Sequence, residues 1–249
     1  MNPVANILQP LIDVANSILV FFHDAGLSWG MAIIALTICT RALLIPLTYK
    51  SLKGMRALQA LQPQIKEIQA KYKNDRQRMQ QEMMRFYQEN KVNPFASCIP
   101  LLAQLPIFIT LFYALRDELP EDIGCTAGEC GSEASFLFIS DLTAKAAGGE
   151  LIALLILYIG TQLISGLVMA VTADKSQRML MLILPFIFVP FVITFPAGLV
   201  LYWITTNIWT IGQQYVIQRV VPPPVVPTPE EVAAAKPPPK PPKKKKRRR

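Results

Sequence analysis

Trp29 to Pro46 reads WGMAIIALTICTRALLIP, an apolar run broken by one charge, Arg41. A helix needs roughly 20 apolar residues to cross the hydrocarbon core of a bilayer, and this run reaches that length once its flank to Thr48 is added. Four further stretches match it and carry no charge inside: Pro94 to Leu115, Leu151 to Ala173, Met179 to Phe195 and Gly198 to Ile217. The expected fold is therefore an all-α integral membrane protein with five transmembrane helices, at 29–48, 94–115, 151–173, 179–195 and 197–217. Phe195-Pro196-Ala197-Gly198 leaves room only for a tight hairpin, which predicts that the last two helices are neighbours.

Composition agrees with this reading. A hydrophobic share of 52% in 249 residues and a mean hydropathy of +0.33 are too apolar for an ordinary soluble domain. The net charge of +8 sits mostly at one end, because residues 222–249 hold nine Lys and Arg against two Glu. Met1 to Phe22 contains no Lys or Arg, so the basic n-region of a cleavable signal peptide is missing and internal segments are expected to direct insertion. Lys and Arg are retained on the cytoplasmic side. The loop from Tyr49 to Asn93 has ten basic residues, whereas Arg116 to Glu150 has eight acidic and two basic ones. Lys175 and Arg178 precede the fourth span. These loops predict an N-terminus outside and a C-terminus in the cytoplasm.

Three appendages surround the core from 29 to 219. Over residues 1–28, Val4, Ile7, Leu8, Leu11, Ala15, Ile18, Leu19 and Phe22 recur at helical spacing opposite Asn6, Gln9, Asp13 and Asn16. This pattern favours an interfacial helix on the outer surface over a sixth span, since Asp13, His23 and Asp24 interrupt any long apolar run. Residues 49–93 combine charge with periodicity, Leu52, Met55, Leu58, Leu61, Ile65, Ile68 and Tyr72 being followed by Met79, Met83, Phe86 and Tyr87. They predict a cytoplasmic hairpin of two antiparallel helices, with a turn and N-cap at Asn74-Asp75 and a kink or restart at Pro63. Either the hairpin packs only on itself, or its basic excess and methionines engage lipid headgroups or a partner chain. Residues 220–249 hold ten prolines beyond Val221 and end in Lys243, Lys244, Lys245, Lys246, Arg247, Arg248 and Arg249, a disordered tail suited to ribosomal RNA or anionic lipid. Nuclear localisation and DNA binding do not fit a chain with five spans.

Arg41 carries the chemistry. It lies eight residues before Tyr49, which puts its backbone about 12 Å inside the cytoplasmic end at 1.5 Å per residue. An arginine near mid-bilayer costs about 2.5 to 3.5 kcal/mol on insertion scales. No Asp or Glu occurs in any span, so the remaining partners are water, backbone carbonyls, lipid phosphate or a visiting molecule. Thr37, Arg41, Leu44 and Thr48 share one face, and Gln104, Gln162, Ser165, Thr206, Asn207 and Gln213 add polar groups on other helices. Together they favour a water-filled cavity over a snorkelling side chain. Nothing in the sequence suits covalent catalysis: there is no phosphate loop, no metal-ligand cluster and no paired carboxylate, so no enzyme activity, cofactor or metal is expected. Cys125 and Cys130 share the acidic loop, where a disulfide is the commoner outcome than half a zinc site. Cys39 and Cys98 fall in helices and are expected to be inert.

Several motifs carry a family resemblance over roughly residues 1 to 219. They are Trp29-Gly30 opening a span with an internal arginine, Leu61-Gln62-Pro63-Gln64-Ile65-Lys66, Val92-Asn93-Pro94, Cys98-Ile99-Pro100-Leu101-Leu102 and Gln104-Leu105-Pro106-Ile107-Phe108. Further on come Phe136-Leu137-Phe138-Ile139-Ser140-Asp141-Leu142, and Pro196-Ala197-Gly198-Leu199-Val200-Leu201-Tyr202-Trp203 with Asn207 and Gln213-Gln214. On these the chain resembles the YidC/Oxa/Alb insertases, in a short form without the large extracytoplasmic domain. The resemblance implies five helices around a hydrophilic groove open to the cytoplasm, with Arg41 as the groove arginine. It also implies that Thr37, Phe108, Gln162, Phe191 and Trp203 line the groove or touch the passing chain. Nascent membrane proteins are then the clients, with the Sec translocon, the ribosome and anionic lipids as partners. Two other classes compete: a small transporter, against which stand the missing inverted repeat and the missing intramembrane carboxylate, and a structural assembly factor.

Overall fold

The computed structural model describes residues 3–93, 99–125, 130–170 and 175–220. Within them ten α-helices follow one another, and only isolated bridges, Phe136 with Ile139 and Lys145 with Pro196, pair as strands do. Helix α1 (Pro3–Asp24) turns Ile12, Ala15 and Leu19 into the protein and leaves Ile7, Leu11, Val14 and Phe21 exposed. Gln9 donates to Asp13 on its polar side at 3.0 Å. It packs on α2 (Trp29–Leu43) and α6 (Ile99–Tyr113). At the α1–α2 elbow the His23 ring stacks on Trp29 at 4.0 Å, and Ser28 caps α2 by accepting the Met31 N–H.

The run quoted above does not stay straight to Thr48. It breaks at Leu44, and α3 (Ile45–Ala60) leaves at 56° to α2. Pro46 explains the break, because it has no N–H for the Ala42 carbonyl and its ring collides with that turn; the Leu44 N–H bonds Ala42 and Thr40 instead. The break at Leu44 thereby puts Thr48 on α3, apart from Thr37 and Arg41 on α2. Helix α4 (Gln62–Lys71) restarts with Pro63 in its first turn, where a missing N–H costs nothing. Asp75 accepts the Arg78 N–H at 3.0 Å to open α5 (Arg76–Glu89), and α4 packs against α5.

Helix α6 ends in one π-helical turn, Ala114–Glu118, and the short α7 (Leu119–Ile123). The segment that follows is built rather than loose. Phe136 and Ile139 exchange backbone hydrogen bonds, and the Asp141 carboxylate accepts from Thr143 and Ala144. The Leu142 and Ala144 carbonyls then accept the Gly198 and Ala197 N–H groups at 2.8 Å each, satisfying the start of α10. A Cβ on Gly198 would meet the Leu142 carbonyl at 2.9 Å, and one on Gly30 would lie 2.1 Å from the Phe136 ring, so both glycines are required by close approach.

Helices α8 (Gly148–Ala170), α9 (Lys175–Val192) and α10 (Ala197–Val220) complete the bundle. The short connection between α9 and α10 predicted that they are neighbours; α9 lies chiefly along α8, and its Phe188 ring meets Trp203 of α10 at 5.8 Å. Helix α10 packs on both α8 and α2, and Ile33, Leu36, Leu111, Leu115, Leu154, Tyr158, Leu199 and Tyr202 form the shared core. By length and apolarity, Gly148–Val168 can cross a membrane alone and α2 with α3 can do so as a bent pair, while Met181–Val192 is apolar but shorter. Helix α10 is long enough but carries Thr205, Thr206, Asn207, Thr210, Gln213 and Gln214, which lower its hydropathy.

Candidate functional site

Polar side chains collect where α2, α6, α8 and α10 meet. Thr37 is fully buried and donates to the Ile33 carbonyl at 2.7 Å, so its hydroxyl is satisfied within the helix. Arg41 follows one turn later, at the end of α2. Its Nε is buried with no acceptor among the described residues, and Tyr202 of α10 is near enough to feel its charge. Gln104 of α6 donates its side-chain N–H to the Tyr202 hydroxyl oxygen, so three helices converge on one phenol. Further along, Asn207 is buried and donates to Thr161 on α8 at 3.2 Å. Gln162 Oε1, Thr110 Oγ1 and Gln213 Nε2 are also buried without a partner among the described residues, and Thr206 stands beside the Tyr202 hydroxyl. Buried polar atoms in folded proteins are almost always hydrogen-bonded, to protein or to ordered water, so these groups mark the polar part of the helix interior.

An aromatic cluster adjoins the polar one. The Trp203 ring lies 5.3 Å from Tyr158, 5.4 Å from Phe108 and 5.8 Å from Phe188. Phe108 also meets Phe195 at 5.9 Å. Of the residues expected in the site, Arg41 and Gln104 come together through Tyr202, Phe108 joins Trp203, and Asn207 bonds the neighbour of Gln162. Phe191 stands apart, more than half exposed and touching Phe188. Tyr202 and Thr161 are the members that residue-by-residue expectation missed. Helical spacing contained the signal for Tyr202, because Tyr202 and Thr206 form one face of α10 while Trp203 and Asn207 form the next.

Cys125 and Cys130 are joined by a disulfide, and the Cys130 sulfur lies 3.2 Å from the Thr143 hydroxyl. Cys39 is a free, exposed thiol. No group of three or more His, Cys, Asp or Glu able to hold a metal occurs among the described residues. Cys98 and the tail from Lys243 to Arg249 lie outside the described residues.

Apolar helices that hold a cation, amides and hydroxyls together, with no acid beside them among the described residues, fit a helical membrane protein with polar groups in its interior. Residues 20–223 match the family model described as 60Kd inner membrane protein, and the chain belongs to that family. It is 38% identical over 228 residues to the membrane protein insertase YidC of Streptomyces avermitilis, covering 80% of this chain and 53% of that one. It is 41% identical over 211 residues to the protein of the same name from Endomicrobium trichonymphae, covering 83% and 39%. A solved structure, an active YidC insertase with its first transmembrane domain resolved, superposes with a TM-score of 0.64 at 26% identity, covering 86% of this chain and 47% of that chain. The chain thus spans between about a third and a half of the length of the curated relatives it matches.

Proposed function

We propose that this chain is a membrane protein insertase, moving segments of nascent membrane proteins from the cytoplasm into the bilayer and assisting their folding, alone or with the Sec translocon. The observation that carries this reading is Arg41, a part-buried cation whose Nε is buried without an acceptor and which has no acidic partner among the described residues. A fold that bears the cost of a part-buried charge with no resident acid beside it has a use for that charge outside itself. In this reading five spans enclose a hydrophilic groove open to the cytoplasm and to lipid, lined by Thr37, Arg41, Gln104, Gln162 and Asn207, with Phe108, Phe191 and Trp203 along the path of the client.

The groove lowers the dehydration cost of a client's polar outer segment, and Arg41 attracts the carboxylates of that segment without competition from a resident acid. The client's apolar helix then slides along α8 and α10 into lipid. No covalent step is needed. The hairpin of α4 and α5 receives clients on the cytoplasmic side, and the basic tail holds ribosomes or anionic lipid. The N-terminus lies outside and the C-terminus in the cytoplasm of a bacterial cell. Arg41→Ala is expected to impair insertion of single-span clients with acidic N-terminal tails, whereas Arg41→Lys is mild. Normal insertion of all such clients by the alanine variant refutes the role given to Arg41.

A further inference from the structure

Between α7 and α8 the chain turns back on itself in a two-residue hairpin. Phe136 and Ile139 exchange both backbone hydrogen bonds, at 2.9 and 2.8 Å, and Leu137 and Phe138 form the tip. Leu137 has a φ of 54°, a left-handed conformation that favours Gly, Asn or Asp, yet the residue there is a leucine and is 85% exposed. Phe138 beside it is 46% exposed. Two large apolar side chains thus stand in the open on a strained turn whose arms are fixed.

The arms show where the tip lies. The Ala144 and Leu142 carbonyls hold the first residues of α10, Ala197 and Gly198. Nearer the tip, Ser140 donates its N–H and its hydroxyl to Glu150 in the first turn of α8, at 3.1 and 2.7 Å. The Phe136 ring lies against Gly30 in the first turn of α2. All three attachments are to first turns, so the hairpin lies across one end of the bundle. Because α10 packs on both α2 and α8, a hairpin that leaves α10 and passes those two helices emerges at the side of the bundle. Helix α8 can cross a bilayer alone, over Gly148–Val168, and its Ile152 and Ile156, just beyond Glu150, are more than half exposed, as lipid-facing residues are. Phe138 is two residues from Ser140, about 7 Å at 3.3 Å per residue, and the headgroup layer of a bilayer is roughly 5 to 8 Å deep. The tip therefore stands beside the bundle at the level of the headgroups.

We infer that Leu137 and Phe138 are a lipid-anchoring tip, inserted where the headgroups of the adjacent leaflet meet its acyl chains. Both side chains leave water there, which offsets the strained backbone of Leu137. The fixed arms pass that hold to α2, α8 and α10 together, so the tip sets the depth of this end of the bundle. A second copy of the chain could also cover an apolar tip, but the tie to the first turns of three helices fits a flat boundary at that level, which a bilayer surface is. The inference adds a lipid contact to the insertase reading and does not depend on it.

The test uses the full chain with Cys39→Ser and Cys98→Ser and with the Cys125–Cys130 disulfide kept. Acrylodan is attached at Leu137→Cys, at Phe138→Cys or, as a control, at Ser132→Cys, an exposed position in the same segment. Each chain is reconstituted in vesicles of phosphatidylethanolamine and phosphatidylglycerol and quenched in turn by aqueous acrylamide on both sides and by lipid spin-labelled near the headgroup end of its acyl chain. The two tip labels are expected to emit to the blue of the Ser132 label, to be quenched by the spin-labelled lipid and to be shielded from acrylamide, with the order reversed at Ser132. Adding Leu137→Asn, which accepts the positive φ, to the Phe138→Cys chain is expected to shift that label toward water. Quenching of the tip labels by acrylamide alone overturns the inference. Protection from both quenchers, the mark of a protein occupant such as a second copy, overturns it as well. A Phe138→Cys label unmoved by Leu137→Asn overturns the part given to Leu137. If the Leu137→Cys chain does not fold, the label at Phe138→Cys decides alone by the same outcomes.

Discussion

Replacing Arg41 by methionine, which keeps much of the side-chain length and removes the charge, is expected to stabilise the bundle while damaging function. An arginine at the centre of a spanning helix is unfavourable by about 2.5 to 3.5 kcal/mol on insertion scales. Arg41 does not bear all of that, because it lies in the last turn of α2 and is part-exposed, which leaves it some of its solvation. What remains is a buried Nε without an acceptor, and exchanging even paired buried charges for apolar volume is often neutral or stabilising by about 1 to 4 kcal/mol. We therefore expect Arg41→Met to gain about 1 to 2 kcal/mol. Unfolding by dodecyl sulfate in mixed micelles measures it, followed by the fluorescence of Trp29 and Trp203, which are packed in the core. Loss of more than about 1 kcal/mol in Arg41→Met, the scale of a broken hydrogen bond, would show that the guanidinium ties the helices together. The argument that its charge serves a visitor would then fail.

Three further outcomes follow from the packing and the charges. Gly30→Ala places a methyl group on the Phe136 ring, and overpacking of this kind costs about 1 to 3 kcal/mol, read as a lowered thermal midpoint that Phe136→Leu partly restores. Of the four cysteines, Cys125 and Cys130 are bonded, so alkylation of the unfolded, unreduced chain should add two tags by mass spectrometry, and four after reduction. Burial raises the Tyr87 phenol above its ordinary value of 10.0; the folded hairpin then holds this proton where the unfolded chain has lost it, so stability falls as pH rises past 10. Tyr87→Phe should remove that alkaline loss, seen by helical circular dichroism between pH 9 and 12.

How much of this was legible in the sequence varies with the range of the interaction. Asp75 as a helix cap and Cys125 with Cys130 as a bonded pair depend on residues a few positions apart, and spacing alone pointed to them. The isolation of Arg41 was legible for a different reason, since a count of acidic residues across all apolar stretches needs no knowledge of packing. The bend at Leu44 was harder. Pro46 was visible, but an apolar run of spanning length reads as one straight helix until the loss of the Ala42 hydrogen bond is weighed against lipid burial. The meeting of Gln104 with Tyr202 depends on the register of α6 against α10, residues nearly a hundred positions apart, and no local pattern encodes it. The same holds for α9, whose short connection to α10 sets a distance but not the side on which it packs, and for Leu142 and Ala144, whose carbonyls complete the first turn of α10.

The central claim is that this chain itself moves membrane proteins into a bilayer, and reconstitution tests it most directly. The purified protein is placed in otherwise protein-free liposomes, a single-span client with an acidic outer tail is synthesised outside them, and protection of that tail from added protease is measured. The account predicts a protected, lumenal tail with the wild-type chain and much less with Arg41→Ala. Solute flux without protected client would contradict it in favour of a transporter, and neither flux nor protection would leave an assembly role in place of an insertase.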